Sequence, residues 1–507
     1  MDSPAQILPA MAARLPDKPA LVTCDRSLTF AELDAASDRI ATALAARGVR
    51  RGQTVSLIGQ NRWEWVVAYH GALKAGAVVN PINVMLTTEE LAFVLRDCES
   101  VAVFAGHDRV TSVTDLTRDL PGIRLVVAFG DAEDGAVPFD DLLSEPGTAP
   151  AWTGSPDGPS TIGYTSGTTG HPKGAVQSHR AVILNCGLTA TMHGRDERDV
   201  VVTALPAPHV YGNVVINSTF LAGGTVVLME RFAAGEALKL IERHRATMFE
   251  GVPAMYATML ADEALNEVDL SSLTRCTVGG QTMPVSTMER WQERSGAPLI
   301  ELWGMTEISG LGTTHPLHVR GPLGSIGVAL PGVQSRIADL IDPSRDAAPG
   351  EPGELLIRGP IVMLGYFGNA EATAEVRDEQ GWLHTGDIAI ADESGNLFVV
   401  DRRKDLILTG GYNVYPAEIE RVLSEHPGVA LVAVGAVPDP VKGELACAYV
   451  VPVPGAALTE QELIDFSVPR LAAYKRPRLV RFVDDLPKTS SGKVMRRELL
   501  KSFGDQG

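Results

Sequence analysis

Between Tyr164 and Gly174 the chain reads YTSGTTGHPKG. Four hydroxyls (Thr165, Ser166, Thr168, Thr169), three glycines and Lys173 fall within this short stretch. Glycines let successive backbone N–H groups turn inward around an anion. Hydroxyls rotate to offer donors to phosphate oxygens, and Lys173 adds a positive charge. The chemistry implied is the holding of a phosphate group. The preceding TIGY has the character of a short strand able to carry such a loop. The spacing is not that of a Walker loop, which needs Gly, four residues and then Gly-Lys-Ser/Thr. A flexible Ser/Gly/Thr linker is the bland alternative, but linkers do not usually end in Pro-Lys-Gly beside strand-like residues.

A loop of this kind needs rigid elements to aim it. Residues 28–47 read as a helix, opened by a Thr29/Glu32 capping pair, striped by Leu33, Ile40 and Leu44, and stopped at Gly48. Thr54–Ile58 reads as a buried strand, Trp63–Ala75 as a second helix, and Val78–Asn80 as extended again. The alternation continues past residue 300 and predicts layered α/β structure with parallel strands. After about residue 320, Gly, Pro and β-branched residues become dense (GSIGVALPGVQSRIAD, GELLIRGP, GNLFVVDRRKD). Short strands and tight turns follow, as a small barrel or a sheet packed on the main body. The last hundred residues read as a separate α+β unit: AEIERVLSEHPG is an amphipathic helix, ALVAVGAVPD a strand, and TEQELIDFSVPRLAAY mainly helical with an interruption at Pro469. The expected fold is therefore α/β. A large N-terminal domain, 1–403, is built of layered αβ subdomains with a small barrel-like β subdomain at about 320–403. A small mobile α+β C-terminal domain, 404–507, follows.

Length and composition bound the rest. At 507 residues the chain is long enough for roughly two to four folding units. Net charge is −18, which argues against nucleic-acid binding through a basic surface, although a local cluster of donors can still hold phosphate. The five cysteines (Cys24, Cys98, Cys186, Cys276, Cys447) are far apart, odd in number and without metal-type spacing, as expected for reduced thiols in a cytosolic protein. No secretory signal and no run of about 18 apolar residues is present, so a soluble, cytoplasmic protein with no membrane span is expected.

YTSGTTGHPKG resembles the signature loop of the adenylate-forming superfamily, which comprises acyl- and aryl-CoA synthetases, peptide-synthetase adenylation domains and firefly-type luciferases. Further similar segments follow in order along nearly the whole chain. In LPAPHVYG, His209 falls at the family's position beside the acyl site, and Pro208 stands where the family usually has a bulky residue. VGGQTMP is similar to the segment lining the acyl and adenine pockets (Gly279, Gly280), with Gln281 where many members have Ala. A buried Gln demands partners, either a polar part of the substrate or nearby backbone and the adenine amine. In ELWGMTE the resemblance places Trp303 on adenine and Gly304 beside the acyl group. It also places Thr306 on the α-phosphate and makes Glu307 a ligand of Mg²⁺. HTGD gives Asp387 for the ribose hydroxyls, and VVDRRKD gives Arg402 on the ribose and phosphate side and Lys404 as a hinge. GGYNVYPAEIE gives Gly410 and Gly411 toward the pantetheine arm, AAYKRP gives Lys475 and Arg476 toward CoA phosphates, and PKTSSGKV gives Lys493 as the catalytic lysine.

The resemblance implies two half-reactions. ATP and an acid give an acyl-adenylate and pyrophosphate. The C-terminal domain then turns about Lys404, and coenzyme A takes the acyl group, releasing AMP. Tyr211, Gln281, Trp303 and Leu311–His315 are expected to surround the acid, whose identity stays open. Alternatives are a different acceptor, such as the thiol of a free carrier protein or an amine, an atypical acid, or an inactive nucleotide-binding relative. A homodimer is common in the family.

Overall fold

The computed structural model describes residues 1–130, 132, 135–165, 172–319, 321–409, 412–488 and 494–503, with only the backbone of Lys404, Asn413 and Arg497. The helix read from its cap is present as Phe30–Ala46. The Thr29 hydroxyl accepts from Glu32 N at 3.2 Å, and the Glu32 carboxylate accepts from Thr29 N at 2.9 Å. Two of the four orphan donors of the first turn are thereby satisfied. Leu33, Ile40 and Leu44 are fully buried on one stripe, and Gly48 leaves the helix with a positive φ of 80°.

Two large mixed sheets form the body. The first has eight strands in the order Gly365–Tyr366, Lys173–Ser178, Pro159–Thr165, Val78–Ile82, Thr54–Ile58, Ser100–Gly106, Leu125–Phe129 and Val137–Pro138. From Pro159–Thr165 onward its strands run parallel. The second has nine strands. Its parallel centre is Leu299–Met305, Arg275–Val278, Met248–Gly251, Val200–Thr203, Thr225–Leu228 and Pro19–Val22. Helices cover both faces, so several strands are buried along their whole length and read as continuous apolar runs instead of alternating ones. The dense short strands after residue 320 form an antiparallel four-stranded sheet in the order Gln334–Ala338, Gly353–Arg358, Leu383–Ala391, Leu397–Arg402. Among the described residues its first and last strands do not pair, so of the two forms expected it is the open sheet and not the closed barrel. A last five-stranded sheet begins with Ile407–Thr409 and carries Pro416–Ser424 and Glu460–Ser467 as helices. Among the described residues, its apolar clusters contain none before Ile407. Among the described residues, no helix is long and apolar enough to cross a membrane. The one exposed cysteine is Cys24; the other four are buried and unpaired.

One polar arrangement lies inside the second sheet. Arg195 and Glu250, both with fully buried side chains, pair at 2.5 Å. Arg195 also donates to Thr219, and Glu250 accepts from the Thr277 hydroxyl. Such a pair is costly to bury and costlier to halve, because the survivor is an uncompensated charge. Glu250→Gln is expected to destabilise the protein by about 3–5 kcal/mol, measured by chemical denaturation. A change within experimental error would mean the pair is not balanced as described.

Candidate functional site

The parallel strands of both sheets end on the same side, and the chemistry-bearing segments are the loops that leave those ends. Gly59–Asn61 follow Thr54–Ile58, and Asn83 and Val84 follow Val78–Ile82. Leu205–His209 follow Val200–Thr203, Glu230–Phe232 follow Thr225–Leu228, and Thr306 follows Leu299–Met305. Side chains and backbone from these loops enclose a cavity of about 230 Å³. Ligands in open α/β sheets bind at the carboxyl ends of the strands. The wall mixes apolar groups (Val182, Phe232, Met255) with amides (Gln60, Asn83, Asn213, Gln177).

The hydroxyl- and glycine-rich loop is carried by an antiparallel pair, Pro159–Thr165 with Lys173–Ser178, in which Thr165 faces Lys173 and Tyr164 faces Gly174. The Thr165 hydroxyl donates to the Lys173 carbonyl. Ser166, Gly167, Thr168 and Thr169 lie outside the described residues, as do Gly410, Gly411 and Lys493. The Lys173 ammonium sits 5.4 Å from the centre of the Tyr366 ring and 3.5 Å from the exposed Glu375 carboxylate.

The strand that leads into the loop passes close beside Thr306. A Cβ on Gly163 would lie 2.5 Å from Thr306 Cγ2, so only glycine lets the strand leading into the loop pass beside it. The Thr306 carbonyl accepts from Gln177 Nε2 at 2.9 Å. Glu307 is buried, and its Oε1 accepts from the Tyr366 hydroxyl at 2.9 Å. Burial raises its pKa from the ordinary carboxylate value. The Tyr366 hydrogen bond and the charge of Arg402 pull the other way, and the nearby Asp387 adds to the rise. A Mg²⁺ that arrives on a nucleotide needs only one or two protein carboxylates, with phosphates and waters filling its shell. Glu307, a buried oxygen donor beside Thr306, fits that limited requirement.

A second group lies alongside. Trp303 Nε1 donates to Asp387 Oδ2 at 2.8 Å, and Arg402 Nε lies 3.2 Å from Asp387 Oδ1. Asp387 and Arg402 face each other across the antiparallel pair Leu383–Ala391 and Leu397–Arg402. Both the indole and the carboxylate are buried. Gly304 has no room for a side chain, since its Cβ would lie 2.0 Å from the Gly310 carbonyl oxygen.

His209 caps the helix Val210–Ala222, with Nδ1 accepting from Tyr211 N at 3.2 Å, and it lines the cavity with Pro208. Tyr211 does not line it. Its buried hydroxyl meets Thr277 Oγ1 at 2.9 Å and so joins the Glu250–Arg195 pair. Gly279, Gly280, Gln281 and Gly304 also stand apart from this cavity; Gln281 is half-buried. Lys475 pairs with Glu418 at 2.8 Å, and Arg476 donates to the carbonyls of Leu471 and Val468. Lys404 lies in the single turn Arg403–Asp405 between the four-stranded and five-stranded sheets. Of the sequence-derived residues, the structure thus groups His209 with Thr306, and Trp303 with Asp387 and Arg402, with Glu307 between. Tyr366 and Gln177 were not read from the sequence; they touch Glu307 and Thr306 from positions 59 and 129 residues away in the chain.

Glu301, on the same strand as Trp303, was also unread. It is buried and accepts from Gly324 N at 2.7 Å, and burial pushes its pKa up to about 8. Its folded-state pKa therefore lies above its unfolded value. The stability this contributes is complete below the unfolded carboxylate range and is lost as pH rises toward 8. Glu301→Gln is expected to flatten the fall in thermal midpoint between pH 5.5 and pH 8; an unchanged slope would assign that fall to other groups.

Residues 8–367 match the family model described as AMP-binding enzyme, and residues 418–493 match the AMP-binding enzyme C-terminal domain. The chain is 38% identical over 486 residues to a feruloyl-CoA synthase of Amycolatopsis sp, covering 94% of each chain. It is 34% identical over 520 residues to a long-chain-fatty-acid–CoA ligase of Escherichia coli O157:H7, covering 96% of this chain and 92% of the other. Among solved structures it is similar to the anthranilate CoA ligase AuaEII in complex with anthranoyl-AMP. The TM-score is 0.92 and the identity 29%, over 99% of this chain and 96% of that one.

Proposed function

The chain belongs to the AMP-binding enzyme family, and from that premise we propose that it is an AMP-forming acid–CoA ligase whose site is the cavity beside Thr306. The observation that carries this reading is the joint arrangement at the strand ends. The strand pair that carries the hydroxyl- and glycine-rich loop, a buried aromatic–carboxylate–arginine group and a cavity come together around Thr306 and Glu307.

In the first half-reaction a carboxylate oxygen of the acid attacks the α-phosphorus of ATP, forming the acyl–phosphate bond as pyrophosphate leaves. Two anions must be brought together, so the residues' task is to hold charge and geometry. Trp303 presents its ring to adenine. Asp387 has lone pairs beyond those used by Trp303 and Arg402, and these accept the ribose hydroxyls. Thr165, Ser166, Gly167, Thr168, Thr169 and Lys173 hold the outer phosphates, and Thr306 meets the α-phosphate. Glu307 would hold Mg²⁺, which when bound offsets triphosphate charge. Lys493 bridges the acid and the α-phosphate. His209 stands where the acyl group enters, with the amide-bearing wall able to meet either the acid or the two amides of a pantetheine arm.

In the second half-reaction the CoA thiolate attacks the acyl carbon, the acyl–phosphate bond breaks, and AMP leaves. The unit 404–507 would turn about Lys404 between the two steps, bringing Gly410 and Gly411 toward the arm. Lys475 can reach a CoA phosphate only by opening or sharing its pair with Glu418.

The decisive experiment is ATP-dependent pyrophosphate release against aromatic and aliphatic acids of graded length, with and without CoA. Release with one class, together with AMP and a CoA thioester, is expected. Pyrophosphate without thioester would point to another acceptor, such as a carrier-protein thiol or an amine, and binding without turnover to an inactive relative. Lys493→Ala is expected to slow adenylation by on the order of 10²–10³-fold while still converting supplied acyl-adenylate to thioester; normal adenylation would remove Lys493 from its assigned role.

A further inference from the structure

Asp401 is where the two sides of the Arg403–Asp405 turn meet. It ends the strand Leu397–Arg402 of the four-stranded sheet, and its side chain is fully buried. Its Oδ2 accepts from Ala417 N at 2.7 Å, an otherwise unpaired donor in the first turn of the helix Pro416–Ser424. Its Oδ1 accepts from Arg496 Nη1 at 2.6 Å. Arg496 opens the helix Arg496–Phe503. The same guanidinium makes a fork with Glu420, at 2.6 Å and 3.1 Å, and lies 3.4 Å from Asp405. Asp401 precedes the turn, whereas Ala417, Glu420 and Arg496 follow it. No rotation about Lys404 can leave the two Asp401 contacts intact, because the carboxylate stays with one body and its donors go with the other.

The pin is tied to the nucleotide side. Asp401 neighbours Arg402, which pairs with Asp387, which is held by Trp303. On its other side Arg496 follows Lys493 by three residues in the sequence. We propose that Arg496 is a positioning residue. By pairing with Asp401 across the turn, it holds the C-terminal unit in the orientation used for adenylation, and this pair must open before the thioester-forming step. The inference rests on the two-step reading above. Arginine suits the task because its planar guanidinium makes a two-bond fork with Glu420 while a third N–H meets Asp401, a fixed geometry that a lysine ammonium does not have.

The test separates the half-reactions and reads the turn directly. Arg496→Ala and Asp401→Asn are expected to slow pyrophosphate release by at least about tenfold, as expected for loss of the competent orientation. Thioester formation from supplied acyl-adenylate should stay within about twofold. Limited trypsin cleavage at Arg402–Lys404 should accelerate about fivefold or more as the local structure opens. Arg496→Lys should fall between, and Arg470→Ala, which removes an equal charge far from the turn, should match the unsubstituted protein. Equal slowing of both half-reactions, or unchanged cleavage, would overturn the proposal. If either variant folds poorly, the ratio of half-reactions within one preparation cancels the unfolded fraction. Absence of pyrophosphate release from the unsubstituted protein would instead overturn the reaction assignment, and the cleavage rates would still decide the pin.

Discussion

Pressing a carboxylate against a triphosphate is a problem of repulsion, and a chain of net charge −18 must solve it locally. Loops at the carboxyl ends of parallel strands from both sheets line the cavity, and Lys173 opens the antiparallel strand that follows the hydroxyl- and glycine-rich loop. The surrounding acidity then matters little at short range, because salt screens distant charge far more than it screens a partly buried cluster. Rigidity matters more. Thr306 can stand beside the loop strand only because Gly163 has no side chain, and Gly304 lets the strand carrying Trp303 fold back on Gly310.

The acidic groups at the site are held by named donors: Asp387 by Trp303 and Arg402, Glu307 by Tyr366. In a low-dielectric wall an unpaired carboxylate would take up a proton or move. With these partners each carboxylate is held in one position. The same logic recurs at the turn, where Asp401 is buried only because Arg496 and Ala417 meet it.

Local signals were legible in the sequence and long-range ones were not. Thr29 and Glu32 announced a helix because a capping box is written within four residues. The strand pair on either side of the loop after Tyr164 was half legible: TIGY read as a strand, and its antiparallel partner Lys173–Ser178 did not. Tyr211 looked like a pocket residue by its place after His209, yet its hydroxyl turns inward to Thr277, since Glu250 and Arg195 offer a buried polar chain that the cavity does not. Tyr366 and Glu307, 59 residues apart, and Asp401 and Arg496, 95 apart, are joined only by tertiary packing, and no spacing rule reaches so far. The layered α/β body was readable from alternating elements. The open form of the four-stranded sheet was not, because closure depends on whether its edge strands meet.

The anchor of Asp387 is an indole, and that choice has a chemical consequence. A phenol in the same place could lose its proton in alkaline solution and turn from donor to competing anion. An indole N–H is a donor only and does not ionise in water. The Asp387 carboxylate is therefore fastened by a donor whose character is the same in acid and in base, which a tyrosine could not provide.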